Sequence, residues 1–274
     1  MRGVWGVAAA AVFVMAHGAQ AADMPEFGAL RGAVVDTPGV VNWQGFYVGG
    51  QAGYGTSDMD FTNSTSNLAS RMLALTTIEN EYQVSQWPVL GKRSGQGSGY
   101  GGFVGYNWQW DDVILGLEAN YLHGNFGGSD AGSMSRSFTT SDGYTNAVTY
   151  RAGANMQVKD VGSVRARAGW AIGSFLPYAF GGIALGQADI IKSASVSGTM
   201  VNASAAPGFQ TINFAFSKAE QLNSHFIYGY SAGVGMDMML YRGLFLRAEW
   251  EYQKFAAPIN TAVSTVRGGV GYKF

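Results

Sequence analysis

The chain has 274 residues, of which 47% are apolar, 14% aromatic and 13% charged, with 40 Gly, 6 Pro and no Cys; an average globular protein carries about twice that charge and about half that glycine. Seventeen Lys and Arg against 18 Asp and Glu leave a net charge of −1 with no basic block, which excludes the phosphate footprint of a nucleic-acid binder. The absence of Cys excludes disulfide scaffolds, thiolate metal sites and cysteine nucleophiles.

Met1 and Arg2 precede an apolar stretch over 4–16, and Ala19, Gln20 and Ala21 form a small-x-small set. The pattern predicts a secretory signal peptide over 1–21, since the stretch is too short and lacks the flanking charge for a membrane anchor. The segment 22–42, punctuated by Pro25, Pro38 and small residues, reads as an unstructured periplasmic tail. Beyond it, over 43–274, no apolar run reaches the ~18 residues of a membrane helix.

Eight segments then alternate with period two, at about 44–54, 99–110, 113–123, 161–172, 177–185, 226–236, 244–252 and 265–274. Each has roughly the 9 to 11 residues that a tilted strand needs to cross a bilayer. In the third, Val113, Leu115, Leu117, Ala119 and Tyr121 oppose Glu118 and Asn120; in the fourth, Val164, Ala166, Ala168 and Trp170 oppose Ser163, Arg165 and Arg167. In the seventh, Leu244, Leu246, Ala248, Trp250 and Tyr252 oppose Arg247, Glu249, Glu251 and Gln253, and in the last Val266, Val270, Tyr272 and Phe274 oppose Arg267 and Lys273.

A soluble barrel would bury the apolar stripe, whereas an outer-membrane barrel turns it toward lipid. Aromatic placement decides between them. With strands running alternately up and down, Trp43, Trp108, Trp110, Trp170, Tyr178 and Phe274 gather at one end and Tyr54, Tyr100, Tyr121, Tyr228 and Tyr252 at the other, as two interfacial girdles do. Short gaps follow segments two, four and six, and gaps of roughly 40 residues follow one, three and five, which matches periplasmic turns and extracellular loops. The expected fold is therefore all-β: an eight-stranded, antiparallel, transmembrane up-and-down β-barrel.

Eight strands enclose a lumen just wide enough for side chains to fill. Its expected lining sets Arg165, Arg167, Arg247, Arg267 and Lys273 against Glu118, Glu249 and Glu251, together with Asn107, Gln109 and Asn120. Paired, these groups make a buried ion network tying distant strands together; the alternative is a charged conduction path, a small passive pore. Glycines at strand positions, such as Gly49, Gly105, Gly233, Gly235 and Gly271, leave space for long inward side chains.

Several stretches carry a family resemblance: Trp43-Gln44-Gly45-Phe46-Tyr47-Val48-Gly49-Gly50, Gly102-Phe103-Val104-Gly105-Tyr106-Asn107-Trp108, Leu117-Glu118-Ala119, Ser163 to Trp170, Pro177-Tyr178 and Val266 to Phe274. In this order they resemble the small outer-membrane β-barrel proteins of alphaproteobacteria, with an OmpA-like eight-stranded membrane domain. That family includes surface antigens and haemin-binding outer-membrane proteins. The resemblance covers nearly all of the chain after the signal peptide except the three long loops. It implies that Phe274 serves as the terminal aromatic by which barrels are handed to the insertion machinery. Unlike two-domain OmpA proteins, the chain is expected to have no peptidoglycan-binding domain after Phe274, so that a cell-wall tether would have to use 22–42. The expected surroundings are outer-membrane lipid and lipopolysaccharide.

The chemistry that could ride on this scaffold is limited. His123 and His225 fall at the loop-side ends of strands three and six, near Tyr121 and Tyr228, and imidazole is a good axial ligand for haem iron. A haemin site at the rim is thus one reading; ordinary polar rim residues are the other. Ser224, His225 and Glu118 are the only pieces of a catalytic set, and an inward Glu118 cannot converge with the other two. The expectation is no catalytic residue, no metal and no resident cofactor apart from the haemin alternative. In the first loop Leu68, Met72 and Leu75 recur at helical spacing ahead of Trp87-Pro88, as a helix packed on the rim or an adhesive patch would show. The Ser-, Thr-, Asn- and Gly-rich loops over 129–146 and 193–208 are expected to stay mobile and solvated. The expected role is structural, in envelope integrity and surface display, with a haemin-binding or adhesive receptor acting through the loops as the alternative.

Overall fold

The computed structural model describes residues 41–274. The expected signal peptide, and the expected tail up to residue 40, lie outside the described residues. Eight strands close into a single barrel in sequence order, every neighbour antiparallel and the last returning to the first. They are β1 Gly45–Asp60, β2 Lys92–Trp110, β3 Val113–Thr139, β4 Thr145–Trp170, β5 Phe175–Val201, β6 Thr211–Tyr241, β7 Leu244–Ala256 and β8 Asn260–Lys273.

In the membrane-crossing half of each strand the alternation does what lipid outside and polar groups inside require. On β3, Val113, Leu115, Leu117 and Tyr121 are exposed while Ile114, Glu118, Asn120 and Leu122 are buried. On β4, Val164 and Trp170 face out while Ser163, Arg165 and Arg167 face in. The turn end is tight. The β6–β7 connection is the pair Arg242-Gly243, both at positive φ (44° and 91°), the conformation that a two-residue hairpin turn demands. Because β6 continues to Tyr241, Asp237, expected in a turn, is a strand residue facing the lumen.

The structure corrects two of the long loops. The segments 129–139 and 145–157 are paired strand, joined by 140–144, and 190–201 pairs with 211–222 across a connection at 202–210. Together they raise β3, β4, β5 and β6 into a four-stranded sheet standing above the rest of the rim. Its inner face is Val148, Tyr150, Ala152, Ala154, Met156 and Val158 of β4 with Ala188, Ile190, Ala194 and Val196 of β5, all buried. Its outer face is mostly small and hydroxylated, with Ser133, Arg151, Ser195 and Ser217 in one row. The hydroxyl-rich composition thus belongs to the water-facing side of a sheet and not to an unstructured loop.

Between the two halves lies a belt of irregularities. The register shifts between His123 and Phe126, between Val158 and Asp160, and between Ala188 and Ile190, and Ser224 of β6 has φ 49°. The extra residues lie on β4 and β6, where they reset which face the following side chains take, while β3 (Leu122, Phe126) and β5 (Ala184, Ala188, Ile190) keep their even positions inward throughout. On β4, odd positions (Arg165, Ser163, Val161) point inward below the belt and even positions (Val158, Met156, Ala154) above it.

The first loop folds as predicted in kind but not in detail. Helix α1 Ser66–Met72, helix α2 Thr77–Tyr82 and a 3-10 turn Val84–Gln86 cover the extracellular mouth. Leu68, Ala69, Leu73, Ile78, Val84 and Trp87 join the apolar cluster that lines the raised sheet. Leu75, expected on the packed face, is 96% exposed. The helix stops at Met72, Leu75 takes φ 67°, and Thr76 caps the next helix by accepting from the Glu79 amide; two short helices replace the single periodic one.

Candidate functional site

The lumen holds two layers. The lower one, toward the turns, is aromatic: Trp43, Tyr47, Phe103, Tyr178, Phe180 and Phe245 are all buried with Ile114 and Leu176. Trp43 and Tyr178, expected in the lipid girdle, are therefore inside. Trp43 sits edge-on to Phe245 at 6.1 Å, and Tyr178 lies under the Arg167 guanidinium at 3.9 Å. The reason is size. Inward glycines free the space these rings occupy: a Cβ on Gly105 would lie 2.3 Å from the Tyr47 hydroxyl, one on Gly49 2.2 Å from Phe103, and one on Gly271 2.3 Å from Phe245.

Above this layer runs the charge network. Glu118 of β3 accepts from Arg165 Nε at 2.9 Å, from the Tyr47 hydroxyl at 2.8 Å and from Arg247 at 2.7 Å, with Arg167 at 3.4 Å. Asp237 accepts from Arg167 at 2.8 Å and from Arg247 Nε at 2.9 Å. Glu249 accepts from Arg165 at 2.7 Å and from the Tyr178 hydroxyl at 2.6 Å. Glu251 pairs with Arg267, which also donates to Asn120 at 3.2 Å. Arg247 is packed on the Phe103 ring at 3.8 Å and Arg165 on Phe180 at 4.0 Å.

Two members differ from expectation. Lys273 takes no part: it lies at the turn-side mouth and donates to the Gln44 carbonyl at 3.0 Å, because β8 reaches the edge of the barrel one residue later. Asp237 replaces it in the count. The network is then four guanidiniums against four carboxylates, neutral where five positive and three negative groups were expected. Neutrality matters here, since an uncompensated buried ion costs several kcal/mol. Asp237 was detectable in the sequence by its parity with Ser231, Gly233 and Gly235 on β6.

On the outer surface Trp108, Trp110, Trp170 and Phe274 are exposed near the turns, with Trp110, Val113 and Trp170 in one row. Tyr54, Tyr100, Tyr121 and Tyr228 are exposed toward the other side, and Tyr252 is half-buried on the same outward face.

The histidines do not converge. His123 faces outward with Nδ1 2.7 Å from Asp160, whose same oxygen accepts from Tyr121 at 2.6 Å. His225 pairs with the buried Ala188 and so lies on the inward face, and β4 and β5 stand between the two strands. Ser224 gives its amide to Asp189 at 2.8 Å, while Glu118 is occupied in the lumen.

Above the bulge belt the first loop is anchored by Asp130. This buried carboxylate accepts from the Gly91 amide at 2.7 Å and from Arg93 Nε at 2.8 Å. The Gly91 hydrogen bond, then Arg93, holds its acid below the usual carboxylate range despite burial.

An antiparallel barrel with an apolar exterior, aromatic residues toward both ends and a lumen filled with paired ions is a transmembrane barrel of the bacterial outer membrane. The sequence agrees: residues 7–274 match the family model of the outer membrane protein beta-barrel domain, and the chain belongs to that family. It is 24% identical over 174 residues to the 25 kDa outer-membrane immunogenic protein of Brucella ovis, an alignment covering 64% of this chain and 62% of that relative. Among solved structures it is similar to the attachment invasion locus protein Ail of Yersinia pestis (TM-score 0.38, 13% identity, 84% of this chain and 99% of that one). It is also similar to Neisserial surface protein A (TM-score 0.31, 11% identity, 84% and 97%).

Proposed function

We propose that this protein is a structural element of the outer membrane: a closed barrel that supports envelope integrity and holds a folded, hydroxyl-rich sheet outside the cell. The observation that carries this reading is the filled lumen, neutral in charge and packed with aromatic rings at one level and with the first loop at another. The test is a deletion strain challenged with detergent and with bulky antibiotics. Wild-type protein and a barrel shortened above the bulge belt, lacking 129–155 and 193–219, should restore resistance equally. Failure of the shortened barrel, when it is folded and inserted, would place the role in the raised sheet instead.

One observation favours a second reading, an adhesive surface. β7 ends at Ala256, paired with Tyr228, so β6 between Thr211 and Leu222 pairs only with β5 and offers a free strand edge beside the exposed Phe216. Such edges recruit extended segments of other proteins by strand addition. Attachment of cells carrying the full-length but not the shortened barrel to a protein-coated surface would support it. The two histidines, on opposite faces of the wall, do not support a haemin site between them. A titration followed by the Soret band tests this, and saturable binding lost in a His123→Ala/His225→Ala variant would reverse it.

A further inference from the structure

The raised sheet has two edges, and the chain treats them differently. The first loop runs along the β3 edge: Gly95 lies against Gly127, the Gly91 amide donates to Asp130, Val89 lies against Gly132, and the Tyr82 hydroxyl donates to the Thr139 carbonyl. On the β6 edge, among the described residues, no strand pairs with 211–222 on the side away from β5. Ala215, Phe216, Ser217, Lys218 and Ala219 are exposed in succession, so this stretch is open on both faces as well as along its edge. Its unpaired backbone groups can take one more strand.

Such a strand would meet Phe214, Phe216, Lys218 and Glu220 on the inner face, the side of the buried Ala194 and Val196 with which Lys218 and Phe216 pair. Glu220 is engaged within the chain, 3.6 Å from Arg71 and opposite Lys192. Lys218 is not: among the described residues no carboxylate lies within 4.0 Å of its Nζ. A lysine on an edge deters indiscriminate pairing, because an incoming strand has to neutralise it, and the same feature selects a strand that does. Next to Lys218 on that face, a cavity of about 220 Å³ lies between Leu75 and Ile78 of the first loop and Met200, Phe214 and Phe216 of the sheet. Leu75 and Phe216 are exposed, which leaves an apolar seat beside an unpaired ammonium.

We propose that the β6 edge takes an extended, antiparallel segment of a partner protein with the pattern acidic-x-apolar-x-apolar, its carboxylate opposite Lys218 and its apolar side chains opposite Phe216 and Phe214. Antiparallel is the direction of every neighbour in this barrel. It also sets the order, since the added strand runs from the level of Lys218 toward that of Phe214. This specificity rests on the strand-addition reading of the β6 edge and adds to it the charge, order and apolar anchors of the segment.

The probe is the peptide Val-Thr-Thr-Thr-Asp-Thr-Leu-Thr-Phe, fluorescently labelled and titrated by anisotropy into the refolded full chain in detergent, with heat-modifiable migration checking the fold of every variant. Wild type should bind it about tenfold more tightly than the same peptide with Lys in place of Asp, and more tightly than the reversed sequence. Lys218→Glu should invert the charge preference. Leu75→Asn, a residue that tolerates the left-handed backbone at this position, should weaken the Asp peptide and keep the preference. Arg151→Glu, on the outer face of the same sheet two strands away, should match wild type. Peptides N-methylated on alternate amides separate the two readings, because strand addition is lost with one set and kept with the other. If that signature holds but the Asp and Lys peptides bind equally, or Lys218→Glu behaves as Arg151→Glu, the specificity is overturned and strand addition stands. Equal binding of both N-methylated sets, or binding of no peptide, overturns both. Self-association of the unliganded chain that Lys218→Glu abolishes would give the edge to a second copy and overturn the proposal.

Discussion

Glu118 of β3 and Arg247 of β7, 129 positions apart in the chain, meet across the lumen at 2.7 Å. Neither strand neighbours the other in the barrel, so the contact fixes its width as the ladders alone cannot. Glu118 also serves Arg165 and Arg167, which makes it the carboxylate on which three guanidiniums depend. Glu118→Ala should therefore cost about 3–5 kcal/mol, the range for stranding buried charge. Equilibrium unfolding in urea from micelles measures it. Adding Arg247→Met to Glu118→Ala should cost less than the sum of the two single losses, because both remove the same Glu118–Arg247 contact while Asp237 keeps Arg167; purely additive losses would show that the two do not interact.

The aromatic layer rests on glycines, and the cost of adding a methyl there should follow geometry. Gly271→Ala drives a Cβ to 2.3 Å from the Phe245 ring, with further ring atoms at 2.7 and 2.8 Å, whereas a Cβ on the outward Gly50 meets nothing closer than 3.9 Å. Overpacking of this kind costs about 1–3 kcal/mol, so Gly271→Ala should lower the heat-modification midpoint while Gly50→Ala leaves it in place. Equal effects would mean that Phe245 moves freely.

How much of this was legible depended on where the alternation kept its phase. From 161 to 170 and from 244 to 252 one unbroken period-two pattern assigns Arg165, Arg167, Arg247 and Glu249 to the lumen. At Lys159 and Ser224 the bulges shift the parity by one residue, and the expected strands began at Val161 and Phe226, just past those points. The buried series Val148, Tyr150, Ala152, Ala154, Met156 continues the pattern in the opposite phase, which is what hid the raised sheet. Trp43 and Tyr178 were misplaced for a different reason. Their height along the barrel was readable, but the face they take is set by glycines and guanidiniums on other strands, contacts no local pattern encodes.

Asp130 makes the anchoring of the first loop dependent on pH. Its acid is depressed in the fold by the Gly91 amide and then by Arg93. The stabilisation is therefore present above its unfolded value and is lost as pH falls through the folded one. Hydrogen exchange of the amides at 84–91, corrected for intrinsic rates, should rise on acidification into that range and stay flat at neutral pH and above. Asp130→Asn should exchange faster at neutral pH and lose the acid response; an unchanged acid response in that variant would assign the titration to another group.

The lumen predicts conductance as well as stability, and the two layers make different predictions. Excising 62–90 removes the helices over the extracellular mouth but leaves Tyr47, Phe103, Tyr178 and Phe245 and the four-against-four ion network beneath them. Planar bilayer recordings of that variant should match wild type, with no steady ion current. Shrinking the rings with Phe103→Ala and Phe245→Ala while keeping the first loop should also stay closed, because the guanidiniums and carboxylates still span the lumen. Only a barrel that loses the rings and has Arg165, Arg247, Glu118 and Glu249 all replaced by Ser should conduct. Steady current through the wild-type barrel would instead require these groups to part, which four buried carboxylates held by four arginines resist.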